Sequence, residues 1–200
     1  MALSTERMLF PTTRLVPSDD PAVGKALLVR DTSTDTPPTR SGRVSGSCAP
    51  AAAVRAHALD LAPVTAEADW QRYLRRRIEV EAEFGVDAAG ARTMVADLRT
   101  RSDRLGLDLY LARDGRTLVG AIGRFRLPAP HADWARLQEV DVFPAWRNQG
   151  YGNAMLTAML GRLAAAGVRT VVVGADEDDW PLAWYRRRAF RAAARVPLTR

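Results

Sequence analysis

The residues whose types and spacing suggest chemistry most directly are Arg147-Asn148-Gln149-Gly150-Tyr151-Gly152. A guanidinium followed by two glycines suits an anion. Glycine lets the backbone approach a ligand because no Cβ intervenes, and arginine adds charge-assisted hydrogen bonds. Before this run, Leu137-Gln138-Glu139-Val140-Asp141-Val142 ends in alternating acid and valine, the period of a strand. After it, Met155, Leu156, Met159, Leu160 and Leu163 recur at the spacing of one helical face across 153–166. A strand, a glycine loop and a helix start bring outward N–H groups and the positive end of a helix dipole to one point. Phosphate and pyrophosphate are the usual ligands of that geometry. The alternative is a strand-to-helix turn that holds nothing.

Three phosphate patterns compete for the stretch. A Walker A loop needs G-x-x-x-x-G-K-[ST], and the only lysine of the chain is Lys25. A dinucleotide fingerprint needs G-x-G-x-x-G, but Met155 stands at the third glycine. The run from Val142 through Pro144, Arg147, Gly150 and Gly152 reads V-x-P-x-x-R-x-x-G-x-G. It resembles motif A of the GNAT superfamily of N-acetyltransferases, whose signature is [QR]-x-x-G-x-[GA]. A second stretch, Asp178 to Phe190, resembles that family's N-x-x-A-x-x-[LW]-Y-x-x-x-G-F pattern. Asp178 takes the Asn position, Pro181 the Ala, Tyr185 the Tyr and Phe190 the Phe, while Ala189 replaces the usual Gly. If that position needs positive φ, alanine is costly there.

The resemblance implies a mixed α/β (α+β) GNAT fold over residues 53–200: a central mixed, mostly antiparallel sheet with a parallel, splayed β-α-β unit, flanked by helices. It implies an acyltransferase that moves an acetyl group from acetyl-coenzyme A to an amine by direct attack, without an acyl-enzyme. The backbone of Val140 and Val142 would hold the pantetheine arm. Arg147, Asn148, Gln149, Gly150, Tyr151, Gly152 and Asn153 would hold the pyrophosphate. A backbone N–H near Val140 would face the developing oxyanion. Tyr185 would give a proton to the departing thiolate, and Glu139, with Asp141 second, would serve as base. Either carboxylate could equally be structural, and Tyr185 and the tryptophans Trp180 and Trp184 could be core. The acceptor is expected to be a small-molecule amine, less so a protein N-terminus or lysine. A non-catalytic module that binds acetyl-coenzyme A is the competing reading.

Other chemistries find no support in the sequence. There is no G-x-S-x-G elbow, and His57 and His131 have no neighbours at metal-ligand spacing, so no metal is expected. The single cysteine, Cys48, excludes an internal disulfide framework and suits a reducing, cytoplasmic setting. The net charge of +6 is scattered: Arg75-Arg76-Arg77 precedes Glu79, Glu81 and Glu83, and Arg186-Arg187-Arg188 follows Asp176, Asp178 and Asp179. Solvated helix faces explain that pattern, so neither nucleic acid nor membrane is expected as a partner; a homodimer is possible.

The elements that must position these residues read as follows. Residues 1–52 are largely polar and aperiodic, with a short strand or helix turn possible at 26–29, and suggest a mobile extension. A first strand is expected over 54–63, a helix capped near Thr65 with Trp70, Leu74 and Ile78 inward, and a second helix over 87–105 with Met94, Val95 and Leu98 inward. Gly106 ends that helix. Leu107 to Arg113, a turn at Asp114-Gly115, and Thr117 to Leu127 form a hairpin. The strand at 137–142, the helix at 153–166 and a strand at 169–174 form a right-handed β-α-β unit with parallel strands. A last helix and a short strand at 193–198 close the chain.

Overall fold

The structure, a computed structural model, describes residues 24–32 and 57–197. Strands and helices follow in the order β1 (Gly24–Asp31), β2 (Asp60–Pro63), α1 (Glu67–Ala82), α2 (Ala88–Leu105), β3 (Leu107–Asp114), β4 (Thr117–Arg126), β5 (Trp134–Val142), α3 (Tyr151–Ala165), β6 (Thr170–Asp176), α4 (Trp180–Arg186) and β7 (Arg191–Pro197). They build one seven-stranded sheet in the order β2-β3-β4-β5-β6-β1-β7. Only β5 and β6 run parallel; the other neighbours are antiparallel. Among the described residues no helix is long and apolar enough to cross a membrane.

The hairpin shows how the pattern builds the layers. Along β3, Leu107, Leu109 and Leu111 face the core under α1 and α2, while Tyr110 and Ala112 face the core under α3. That alternation is the period of two that a strand covered on both sides requires. The turn residues are Gly115 and Arg116, one position later than expected, because Asp114 pairs with Thr117. Gly115 has φ 56°, the left-handed conformation such a turn demands. On the other face, α3 buries Met155, Leu156, Met159, Leu160 and Leu163 against β4 and β5, as the spacing predicted.

Helix ends follow local chemistry. Asp87 caps α2 by accepting from the Gly90 N–H at 2.8 Å, and Gly106 ends it at φ 67°. Helix α1 starts at Ala66 rather than Thr65, and the Asp69 carboxylate reaches back to the Ala66 N–H at 3.3 Å. Met94 is 41% exposed instead of inward, and Ala91 takes its place in the core beside Val95 and Leu98.

The expected extension over 1–52 does not hold for residues 24–32. Strand β1 lies between β6 and β7 and is antiparallel to both, with Leu27 and Leu28 fully buried. Its partners lie some 140 residues downstream, as in Leu28 against Val173, beyond any local sequence pattern. Residues 1–23 and 33–56 lie outside the described residues; of the strand expected over 54–63, residues 54–56 fall there, 57–59 are irregular, and Asp60–Pro63 is observed as strand.

Candidate active site

The parallel pairing of β5 with β6 covers only Trp134 with Thr170, Ala135 with Val171 and Arg136 with Val172. Beyond Arg136 the two strands separate, while β5 stays paired to β4 as far as Val142. The β6-facing edge of β5 over 137–142 therefore opens as a gap in the sheet. Backbone groups along such an edge can pair with an extended ligand as they would with a strand.

A bulge interrupts β5 inside that gap. Gln138 pairs with Gly123 and Asp141 with Ala121, so Glu139 and Val140 together oppose Ile122. Glu139 takes φ 50°, left-handed for a non-glycine residue. The bulge decides where the acids point. Leu137 faces the core under α3, and unbroken alternation would send Glu139 and Asp141 into that same apolar layer. The extra residue reverses the phase: Val140 and Val142 pack on the α3 side, and both carboxylates turn to α1. The two acids thus share a face, through a device that the alternation of the sequence does not reveal.

On that face they meet Arg77 of α1. Its guanidinium bonds Asp141, lies 3.2 Å from Glu139 and 2.5 Å from Glu81. Glu139 also accepts from the Tyr73 hydroxyl at 3.3 Å and from the Gln138 side-chain amide at 2.9 Å. Three carboxylates thus share one guanidinium. Burial, reinforced by the charges of Glu139 and Glu81 and opposed by Arg77, pushes the Asp141 carboxyl up to about 6. Beside the cluster a cleft between α1 and α2 is lined by Tyr73, Arg77, Met94, Val95, Leu98 and Glu139.

Residues Tyr73, Arg77 and Glu81 escaped the sequence reading. Arginine and glutamate at 77 and 81 look like a solvated i,i+4 pair, yet Arg77 is only 15% exposed and Glu81 is buried. The inward stripe of α1 is Trp70, Tyr73, Arg77, Val80 and Glu81, with Leu74 and Ile78 at its border. A spacing of 73, 77, 80 and 81 across a helix is the signal that could have found them.

The glycine loop follows β5 directly. Gly150, at φ 89°, is the N-cap of α3, and Asn148 is also left-handed at φ 60°. The Gly150 carbonyl accepts from the Asn153 and Ala154 N–H groups at 3.1 and 3.2 Å, and the positive end of the α3 dipole lies here, beside the open edge of β5. Arg147 does not reach across the loop; its Nε donates to the Val142 carbonyl at 3.1 Å and its guanidinium pairs with Glu83 at the end of α1. Gly152 lies against Trp184, whose ring carbon would sit 3.4 Å from any added Cβ. The Asn153 side chain accepts from Trp184 Nε1 at 3.2 Å and from Arg188. At the hairpin side, His57 stacks on Tyr151 at 3.9 Å, and both bond Asp114.

Tyr185 is buried in the core under α3 with Leu137 and Phe190, and Val140 packs against the same cluster. Burial, with a further push from the Asp141 charge and an opposing pull from Arg136, raises its phenol above the ordinary 10.0. Trp180, expected in the core, is 70% exposed at the first turn of α4, and Trp184 is half-buried. Ala189 adopts φ 60°, the conformation that the usual glycine would take without strain. Among the described residues no group of three His, Cys, Asp or Glu side chains is placed to hold a metal ion.

The profile of the acetyltransferase (GNAT) family matches residues 70–190, from the start of the α1 stripe to the end of the second motif. The chain belongs to the GNAT acetyltransferase family. A comparison with curated proteins returns no match. Among solved structures, a conserved Staphylococcus epidermidis protein of unknown function is similar at 14% identity and TM-score 0.61, over 97% of this chain and 64% of that one. The present chain therefore spans less than two thirds of that protein. An acetyltransferase from Thermus thermophilus is similar at 24% identity and TM-score 0.55, over 69% of this chain and 93% of that one. A GNAT-family acetyltransferase from Brucella melitensis, solved with acetyl-coenzyme A, is similar at 20% identity and TM-score 0.50, over 70% and 87%. At these identities the likeness concerns the GNAT fold.

Proposed function

We propose that this GNAT chain is an N-acetyltransferase that moves the acetyl group of acetyl-coenzyme A to the amine of a small molecule. One observation carries the reading: the open edge of β5 runs directly into the N-terminus of α3 through a loop with a left-handed glycine. An extended arm ending in a diphosphate matches that path. The backbone of Val140 and Val142 would pair with the pantetheine, and the loop from Asn148 to Asn153 would hold the diphosphate, with Arg147 adding positive charge at its rim. When bound, the coenzyme supplies an activated thioester; the chain supplies orientation and proton transfer.

The amine must lose a proton. Asp141 fits that task better than Glu139, reversing the order expected from sequence. Glu139 already accepts from Tyr73 and from Gln138 and lies 3.2 Å from the Arg77 guanidinium, so little of it is left to face an amine. Asp141, pushed up to about 6, is ionised at neutral pH yet basic enough to take a proton. Tyr185 stays protonated under the same conditions and can donate to the departing thiolate. The cleft between α1 and α2, with Arg77 and Glu139 on its wall, would receive the acceptor.

Melting curves with and without acetyl-coenzyme A test the coenzyme half, since a ligand that binds only the folded state raises the midpoint. Gly150→Val should lose that shift, because valine resists the left-handed conformation and fills the approach to the loop. Equal shifts for the two proteins would place the ligand elsewhere. An amine panel read by release of free thiol identifies the acceptor.

A further inference from the structure

The loop that would hold the diphosphate is gripped from outside by a histidine that the reaction itself does not use. His57 precedes β2, and its side chain is 13% exposed. Its Nδ1 faces the Asp114 carboxylate at 3.2 Å and its Nε2 faces the Gln149 carbonyl at 3.0 Å. Tyr151 stacks beneath the ring at an interplanar angle of 28° and donates its hydroxyl to the same Asp114 oxygen at 2.8 Å. Asp114 closes β3 at the tip of the hairpin. The hairpin, the segment before β2 and the loop are thus joined through one imidazole.

The chemistry of the two contacts is one-directional. A carbonyl oxygen only accepts, so Nε2 must carry a proton to bond Gln149. A carboxylate also only accepts when ionised, so the contact at Nδ1 is satisfied by a second N–H. The imidazolium meets both needs; a neutral ring meets one.

The consequence lies in the peptide that follows. In a trans peptide the C=O and the N–H point in opposite directions. Holding the Gln149 carbonyl toward His57 turns the Gly150 N–H the other way and keeps a carbonyl dipole from facing an anion. Released from His57, the peptide before a glycine can rotate with little steric resistance, because Gly150 tolerates φ on either side of zero.

We propose that His57, backed by Asp114 and Tyr151, is a positioning residue that sets the orientation of the 149–150 peptide for diphosphate binding. The proposal rests on the coenzyme reading above. His57 touches neither the thioester nor the amine; it acts through the loop.

Calorimetric titration of two probes separates this from a general structural role: coenzyme A, and pantetheine, which lacks the diphosphate. His57→Ala should weaken coenzyme A binding about three- to tenfold, the scale of one hydrogen bond, and leave pantetheine binding unmoved. His57→Gln, whose amide can still donate to the Gln149 carbonyl, should recover part of the loss. Equal coenzyme A affinity in wild type and His57→Ala overturns the proposal and leaves the coenzyme reading standing. Parallel loss of both probes also overturns it, since the effect is then not on the diphosphate. No coenzyme A binding by wild type overturns both. Should His57→Ala fail to fold, Tyr151→Phe carries the test: it keeps the stacked ring, removes one bond to Asp114, and should weaken coenzyme A binding about twofold or more. Unchanged affinity there refutes the clasp.

Discussion

Asp141→Asn should make the protein more stable above pH 6 while disabling it. The carboxyl rises from an ordinary 3.8 to about 6, because burial and two neighbouring acids outweigh Arg77. The sign follows from linkage. The folded state holds the Asp141 proton more tightly than the unfolded chain does, so between about pH 4 and 6 it binds more protons. The stability contributed by that proton is complete below pH 4 and is lost as the pH rises through 6. Above that range the folded protein carries a carboxylate it would sooner neutralise. At 1.36 kcal/mol per pH step, the gap from 3.8 to about 6 corresponds to about 3 kcal/mol. The side chain keeps 27% of its exposure, so solvent relaxes part of that, and about 1–3 kcal/mol is the expected range. Asparagine reproduces the neutral carboxyl in shape and still accepts from Arg77. Urea unfolding at pH 4 and pH 8 should therefore show similar stability for the two proteins at pH 4 and an advantage for Asp141→Asn at pH 8. Turnover of the variant should fall by roughly 10²–10⁴, and the wild-type rate should decline on the acid side near pH 6. A variant less stable than wild type at pH 8 would refute the reasoning, because it would mean that attraction to Arg77 outweighs burial.

Ala189→Gly should raise stability by roughly 0.5–1 kcal/mol, since relief of a left-handed alanine exceeds the added freedom of the unfolded chain; a lower melting temperature would contradict this. Leu28→Ala should cost about 2–5 kcal/mol, as for a fully buried leucine, and a near-neutral result would show that β1 does not hold the sheet together. Tyr185→Phe should slow turnover roughly ten- to a thousandfold with coenzyme affinity intact, while unchanged chemistry would reduce Tyr185 to a packing residue.

The parts of the molecule legible in sequence are those whose determinants lie close together in the chain. The unit β5-α3-β6 declared itself through two periods and a pair of glycines, and Ala189 was visible as a replacement at a position that needs positive φ. What escaped depends on distant partners. Strand β1 is eight residues in a polar neighbourhood, and only β6 and β7, far downstream, make Leu27 and Leu28 core. The bulge has no signature in composition because its left-handed residue is Glu139, where glycine or asparagine would have given it away. Arg77 and Glu81 were misjudged because a charged pair at i,i+4 is ordinary on a wet helix. Only the two carboxylates that the bulge turns toward α1 explain its burial. His57 was read as an isolated histidine, since its partners arrive from a hairpin tip and from the loop.

The register of β1 carries a consequence for the connectivity of the chain. Gly24 faces Pro197 across antiparallel strands, so the start of the first described strand abuts the end of the last. The sheet needs a strand in that slot but is indifferent to which terminus delivers it. A rearranged gene in which Pro197 passes through a short turn into Gly24, with the new beginning placed between β1 and His57, would preserve every strand pairing. Its most distant pairing, β1 with β7, would become a hairpin. Lower mean separation between contacting residues favours faster folding, so stopped-flow refolding of the rearranged and natural chains would measure how much of the folding barrier is the search by β1 for its place.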